Sequence, residues 1–210
     1  MKRIIAIIVL IYSFVSLSAQ DISEVVTTMP GDIVLGLDAG MKDILLSRPG
    51  DTLQVEVERE VPGSVKRLAM TSDFIHLKTS DAGTTQIKLL PLINDSKIIC
   101  VVKTVCGGVC DSRIAFYTTK WTPIAEGNLF RPVTRDEFVR ADADRNSQGF
   151  KNAYAALDMD PIKMKLSPDK LSLTIEYDIE GYLPEEDYKE IKPFLKEEPI
   201  VLNWDKISFK

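Results

Sequence analysis

Three cysteines, one histidine and an acidic loop are the residues whose types could do chemistry in this chain. Cys106-Gly-Gly-Val-Cys110 sets two thiols around a glycine pair. That spacing suits the tip of a β-hairpin, where a disulfide would close a three-residue loop. So short a loop removes little entropy from the unfolded chain. Cys100, inside Ile98-Ile-Cys-Val-Val102, reads as a small buried hydrophobe. A reactive thiol at Cys110 would need an acid–base neighbour, and none is evident in the sequence.

The single histidine limits catalysis and metal binding together. His76 sits between Ile75 and Leu77, and strand alternation puts it on the Phe74/Lys78 side, a position expected to be solvated. Any Ser-His-Asp arrangement would have to form around it, and there is no Gly-x-Ser-x-Gly elbow. Cys106, Cys110 and one distant histidine fall short of a four-ligand zinc set. Asp142-Ala-Asp144-Arg-Asn146 has the start of a calcium loop, but Ser147 stands where glycine is needed and Ala153 where a bidentate glutamate is needed. The other carboxylates do not form a spaced acid–base pair. The expectation is therefore no catalytic residue, no metal and no cofactor.

The elements that would position these residues begin with a leader. Lys2 and Arg3 precede the apolar run Ile4 to Val15, then the small-residue stretch Ser16 to Ala19 and polar Gln20-Asp21. This is the layout of a secretory signal peptide over residues 1–19, too short for a comfortable membrane span. Cleavage after Ala19 would take the 26 basic residues to 24 against 31 acidic ones, a net charge of −7. An acidic chain repels phosphate backbones, so nucleic acid is excluded as a partner. No later run is long enough to cross a bilayer, so no integral membrane segment is expected after cleavage.

Strands dominate the remainder. Leu53–Glu58 alternates apolar and polar residues, and Phe74–Thr79, Thr85–Leu90, Lys97–Val105 and Arg113–Thr119 follow at the short intervals of an antiparallel meander. Ile162–Leu166, Leu171–Tyr177 and Ile200–Phe209 repeat the habit. Helical spacing marks Ile22–Met29, Asp38–Leu46 and Phe150–Leu157. Thr134-x-x-Glu137 has the form of a capping box, and Pro184 followed by three acidic residues suits a helix first turn that Pro193 later stops. At an offset of 86 or 87, residues 73–80, 85–89 and 111–116 align in order with 160–167, 171–175 and 197–202. The predicted fold is α+β: antiparallel meander sheets with helices packed on one face, in two tandem units, 21–125 and 126–210.

Phe116, Tyr117, Trp121 and Trp204 fall on or beside strands in both halves, with Tyr177 and Tyr182 nearby. Alternation cannot bury Phe116 and Tyr117 on the same face, so a sheet surface bearing an exposed aromatic is expected, of the kind on which a protein or peptide docks. These four residues are the candidate binding residues. The alternatives are a small-molecule or glycan binder that stacks on Tyr117, Trp121 or Trp204, and a hydrolase with an unrecognised carboxylate site.

Met29-Pro30, Asp38-Ala-Gly-Met-Lys42, Lys88-Leu-Leu-Pro-Leu92, Ser96-Lys-Ile-Ile-Cys-Val-Val102 and Asp111-Ser-Arg-Ile114 through Trp121 resemble an uncharacterised family of exported proteins from Bacteroides-type bacteria. That resemblance implies export from a Gram-negative cell, to the periplasm or beyond, and supplies no catalytic residue or ligand. The tandem layout is similar to that of the β-lactamase inhibitor protein, a likeness of architecture alone.

Overall fold

The computed structural model describes residues 20–47, 55–59 and 63–210; the expected leader, the expected turn around Arg48-Pro-Gly-Asp51 and the start of the first expected strand lie outside them. Two short helices open the described chain. In α1 (Ile22–Thr27) Asp21 is the N-cap, accepting from Glu24 N at 3.0 Å. In α2 (Ala39–Leu46) Asp38 does the same for Met41 N at 2.8 Å. Each cap satisfies a backbone N–H that has no partner inside its helix.

Seven strands then run in sequence order and pair antiparallel with their neighbours: β1 (Val55–Glu58), β2 (Ser64–Met70), β3 (Phe74–Lys78), β4 (Gly83–Pro91), β5 (Lys97–Cys106), β6 (Cys110–Thr118) and β7 (Pro123–Ile124). Strand β2 was not legible in the sequence. Its core-facing positions include Arg67, a cation buried to 1% exposure, and its register shifts between Arg67 and Ala69, so the apolar alternation is lost. Arg67 is held there by its guanidinium Nη1, which donates to the Leu45 and Ser47 carbonyls at 2.8 and 2.7 Å.

After α3 (Arg135–Phe138) and α4 (Gln148–Ala155) comes a three-stranded antiparallel sheet of β8 (Ile162–Leu166), β9 (Ser172–Tyr177) and β10 (Ile200–Asn203), in the order β10-β9-β8, with α5 (Glu185–Ile191) between β9 and β10. The α+β antiparallel expectation holds. The repeat alignment matches β3 with β8, β4 with β9 and β6 with β10, but the neighbours differ. In the large sheet β5 separates β4 from β6, whereas β9 pairs directly with β10 and a helix fills the intervening sequence. The last expected strand ends at Asn203, and Trp204 bridges to Phe209 across a turn.

Both faces of the large sheet are covered. On one, Ile75, Leu77, Ile87, Leu89, Ile99 and Val101 pack with residues of α1 and α2 and of the segment between them. On the other, Phe74, Leu90, Ile98, Cys100, Val102, Ile114 and Phe116 share a core with Met164, Leu166, Leu173, Ile175, Trp204 and Phe209 of the second half. Ala153, Leu157, Ile179, Ile191 and Leu195 form a smaller cluster around α4 and α5, joined to the second sheet through Tyr177. No helix among the described residues is long and apolar enough to cross a membrane.

The open edge of β8 lies against the large sheet, and side chains of that sheet satisfy it. Ile162 N donates to Asp111 Oδ1 at 3.2 Å, Met164 N to Ser112 Oγ at 2.9 Å and Leu166 N to Gln86 Oε1 at 2.7 Å. Lys88, 2% exposed, donates to Pro168 O at 2.8 Å and pairs with Asp73 at 2.9 Å. Buried backbone groups need partners, and here polar residues inside apolar strands provide them.

Candidate binding cleft

The residues expected to bind are mostly in the core. Phe116 is 1% exposed and stacks on Trp204, with centroids 6.4 Å apart. Trp204 is 5% exposed, and its indole N–H donates to Pro91 O at 2.7 Å. Trp121 is 7% exposed and donates to Val25 O at 3.0 Å. Tyr117 faces the helix-covered side and packs against Trp121 at 5.5 Å. Phe116 and Tyr117 do lie on opposite faces, but each face has its own cover, so alternation left neither as a platform. Phe116 and Trp204 are closed in by their neighbours and offer no face to a ligand, which corrects their assignment as binding residues; Trp121, though mostly buried, lines a hollow with Glu24 and Lys120.

His76 also departs from expectation. Its Nε2 is sealed from solvent, and burial first, then the nearby Lys165 charge, hold its pKa below the usual histidine value. Alternation placed it on the correct face, the one the second sheet covers. The acidic loop is occupied by its own chain: Asp142 pairs with Arg140 at 2.7 Å, and Asp144 accepts from Asn146 N at 3.0 Å. Cys106 and Cys110 are joined in a disulfide, and Cys100 is buried as a free thiol whose pKa burial drives up.

A cleft of about 370 Å³ lies in the second half, between the end of β9, α5 and the segment entering β10. Phe138, Tyr177 and Tyr188 supply its aromatic wall; Glu176, Asp178, Glu180, Glu197 and Glu198 line it together with Lys192 and Lys196. Local signals build each side. Glu137 accepts from Thr134 N at 2.7 Å, closing the capping box that starts α3 and sets Phe138, which stacks on Tyr177 at 5.4 Å. Pro184 and the acidic first turn start α5, and Tyr188 on that helix lies under the Lys192 ammonium at 5.6 Å. The 192–199 segment is tied back by Lys196 N to Phe138 O at 2.7 Å and by Arg140 N to Phe194 O at 2.8 Å. A second hollow of about 650 Å³, lined by Arg140 and Pro193, opens along the same segment.

Electrostatics give the cleft its character. Burial, then the Asp160 charge, raise the Tyr177 phenol above its usual range, and its hydroxyl donates to Met159 O at 3.3 Å. Burial and Glu180 raise Tyr188 in the same sense, so both tyrosines are neutral donors at any ordinary pH. Glu176 pairs with Lys163 at 3.1 Å, and Asp178 accepts from Cys110 N at 2.5 Å, tying the disulfide-closed hairpin to this wall. Sequence reasoning read the acidic run after Pro184 as a helix cap only. The cleft joins residues about sixty positions apart, from Phe138 to Pro199, and no local pattern signals that meeting.

A family model described as a protein of unknown function, DUF3256, matches residues 14–209. The chain belongs to the DUF3256 family. Among solved structures, this DUF3256 chain is similar to a domain of an uncharacterised protein from Porphyromonas gingivalis W83, at 29% identity and a TM-score of 0.81, over 90% of this chain and 96% of that one. The family resemblance expected from the central segments is therefore borne out, with a relative in a Bacteroides-type bacterium. No curated protein matches the chain.

Proposed function

We propose that this DUF3256 chain is an exported, non-enzymatic binding protein of the periplasm or cell envelope, and that its partner docks in the α5 cleft rather than on an open sheet face. One observation carries the reading: an aromatic-walled cleft with five carboxylates and two ammonium groups, in a molecule whose large sheet is covered on both faces. Such a cleft fits an extended protein or peptide segment bearing basic side chains, with the tyrosines giving contact area and the exposed carboxylates of Glu197 and Glu198 giving orientation. Lys192 over Tyr188 is an internal example of the ammonium-on-ring contact this wall can make. The leader and the resemblance to exported proteins support the location. The likeness of layout to the β-lactamase inhibitor protein points toward docking as well, and brings no residue with it.

Titrating the mature protein with a Lys- and Arg-rich peptide probe, read by calorimetry, tests this. Binding should weaken as salt rises and should be lost in the double variant Glu197→Lys, Glu198→Lys. No heat at low salt, or equal binding by the variant, overturns the reading. Trp204 is closed off by its neighbours and Trp121 is only 7% exposed where it meets a hollow, so the geometry gives glycan stacking less support than it gives the cleft.

A further inference from the structure

We infer that Gln20 is a modification site: once the leader is removed, its freed α-amine closes on its own side-chain amide and leaves a pyroglutamyl N-terminus. This rests on reading Met1–Ala19 as a cleaved export leader, which makes Gln20 the first mature residue. The amine nitrogen attacks Cδ of the same residue and forms the five-membered lactam. The Cδ–Nε2 bond breaks, and the side-chain nitrogen leaves as ammonia with a proton from the amine. The step is intramolecular and redox-neutral.

The structure places Gln20 where this can occur. Gln20 is exposed, and the folded body begins at the next two residues, with Asp21 capping α1 and Ile22 N donating to Ser72 O at 3.0 Å. Ring closure therefore disturbs no packed side chain. Gln20 lines a hollow of about 400 Å³ with Glu24, Lys120 and Trp121, which leaves space for the lactam. Its carbonyl already accepts from Lys97 Nζ at 2.7 Å. A free α-amine, with a pKa of about 8, would add positive charge to the residue that holds this ammonium and at the positive end of α1. Asp21 and Glu24 are the carboxylates nearest in sequence to offset it, and the Asp21 carboxylate is engaged with Glu24 N. Cyclisation removes the charge and closes the chain end to aminopeptidases.

The test is intact-mass and N-terminal peptide spectrometry on the full chain, leader included, expressed and exported in a Bacteroides-type host. The expected product starts at residue 20, is lighter than the free-amine form by one ammonia and is blocked to stepwise N-terminal sequencing. Gln20→Ala, checked for an unchanged melting temperature, should be processed at the same place, keep a free amine and be sequenced normally. A product starting at Gln20 with a free amine overturns the proposal and leaves the leader reading intact. An uncut chain, or one cut elsewhere, overturns the leader reading and this inference with it.

Discussion

The two faces of the large sheet are closed in different ways, and the difference explains why its strands carry the residues they do. The face toward α1 and α2 is sealed by side chains, and the buried cations beside it serve helix ends. Lys42 Nζ donates to Met29 O at 2.5 Å just beyond α1, and Arg67 donates to the last carbonyls of α2. Carbonyls at and just past a helix C-terminus have no intrahelical donor, so a buried cation stands in for one. The opposite face receives a strand edge, so its strands carry hydrogen-bonding side chains at the positions where β8 lands: Gln86, Ser112 and, at the rim, Asp111. Helices satisfy their own backbone along their length, whereas a strand edge does not.

The sharpest test of this contrast removes the ring that joins the two halves. Trp204 belongs to the second half, yet it stacks on Phe116 and donates to Pro91 O. Trp204→Ala should cost about 3–5 kcal/mol, read as a lowered denaturant midpoint. Trp121→Ala, on the helix side, should cost a comparable amount while leaving the seam with the second sheet intact. Hydrogen exchange distinguishes the two. Leu166 and Met164 amides should lose protection in the first variant and keep it in the second; loss in both would dissolve the distinction between the faces.

Next in size is Lys88→Met. The stem is replaced by a chain of similar shape, but Asp73 and Pro168 O lose their buried donor. Breaking a buried pair from one side costs about 3 kcal/mol or more when both partners are sealed. Asp73 is one-third exposed and rehydrates in part, so about 2 kcal/mol is expected here. Smaller still are Gln86→Leu and Ser112→Ala, each leaving one β8 N–H without an acceptor at about 1–2 kcal/mol. Ser112 also shares a buried hydrogen bond with Thr104 at 2.8 Å, so its loss should be the larger of the two. Equal stability in both variants would mean that water or β8 itself rescues the edge.

Much of this architecture was legible in the sequence because the signals were local. Alternation placed β3 through β6 and β8 and β9 to within a few residues, and the Thr134 capping box and the Cys106/Cys110 hairpin tip stand where expected. What failed were inferences about what lies across a face. Arg67 hid β2 because a buried cation looks polar in sequence. The aromatic rings looked available because alternation gives the side a residue faces and not whether that side is covered. The repeat looked complete because shared alternation matches strands without fixing their neighbours. The cleft was invisible because its walls come together only when the 192–199 segment folds back onto α3.

The smallest expected effect is a pH slope, and it reports on the seam alone. His76 faces the second sheet, its pKa is depressed below 6.5 by burial and by Lys165, and Lys88 and Gln86 sit opposite or beside it on β4. The unfolded chain therefore takes up a proton before the folded one does. Stability from the neutral ring is fully present above about pH 6.5 and is lost as pH falls from there toward the lower folded value. Chemical denaturation at pH 7.5 and at successive steps down to pH 5 should show that decline, and His76→Gln should flatten the part of it that histidine contributes. An unchanged slope in the variant would mean that the imidazole reaches water on protonation, and that the second sheet lifts from β3 at little cost while the helix-covered face stays closed.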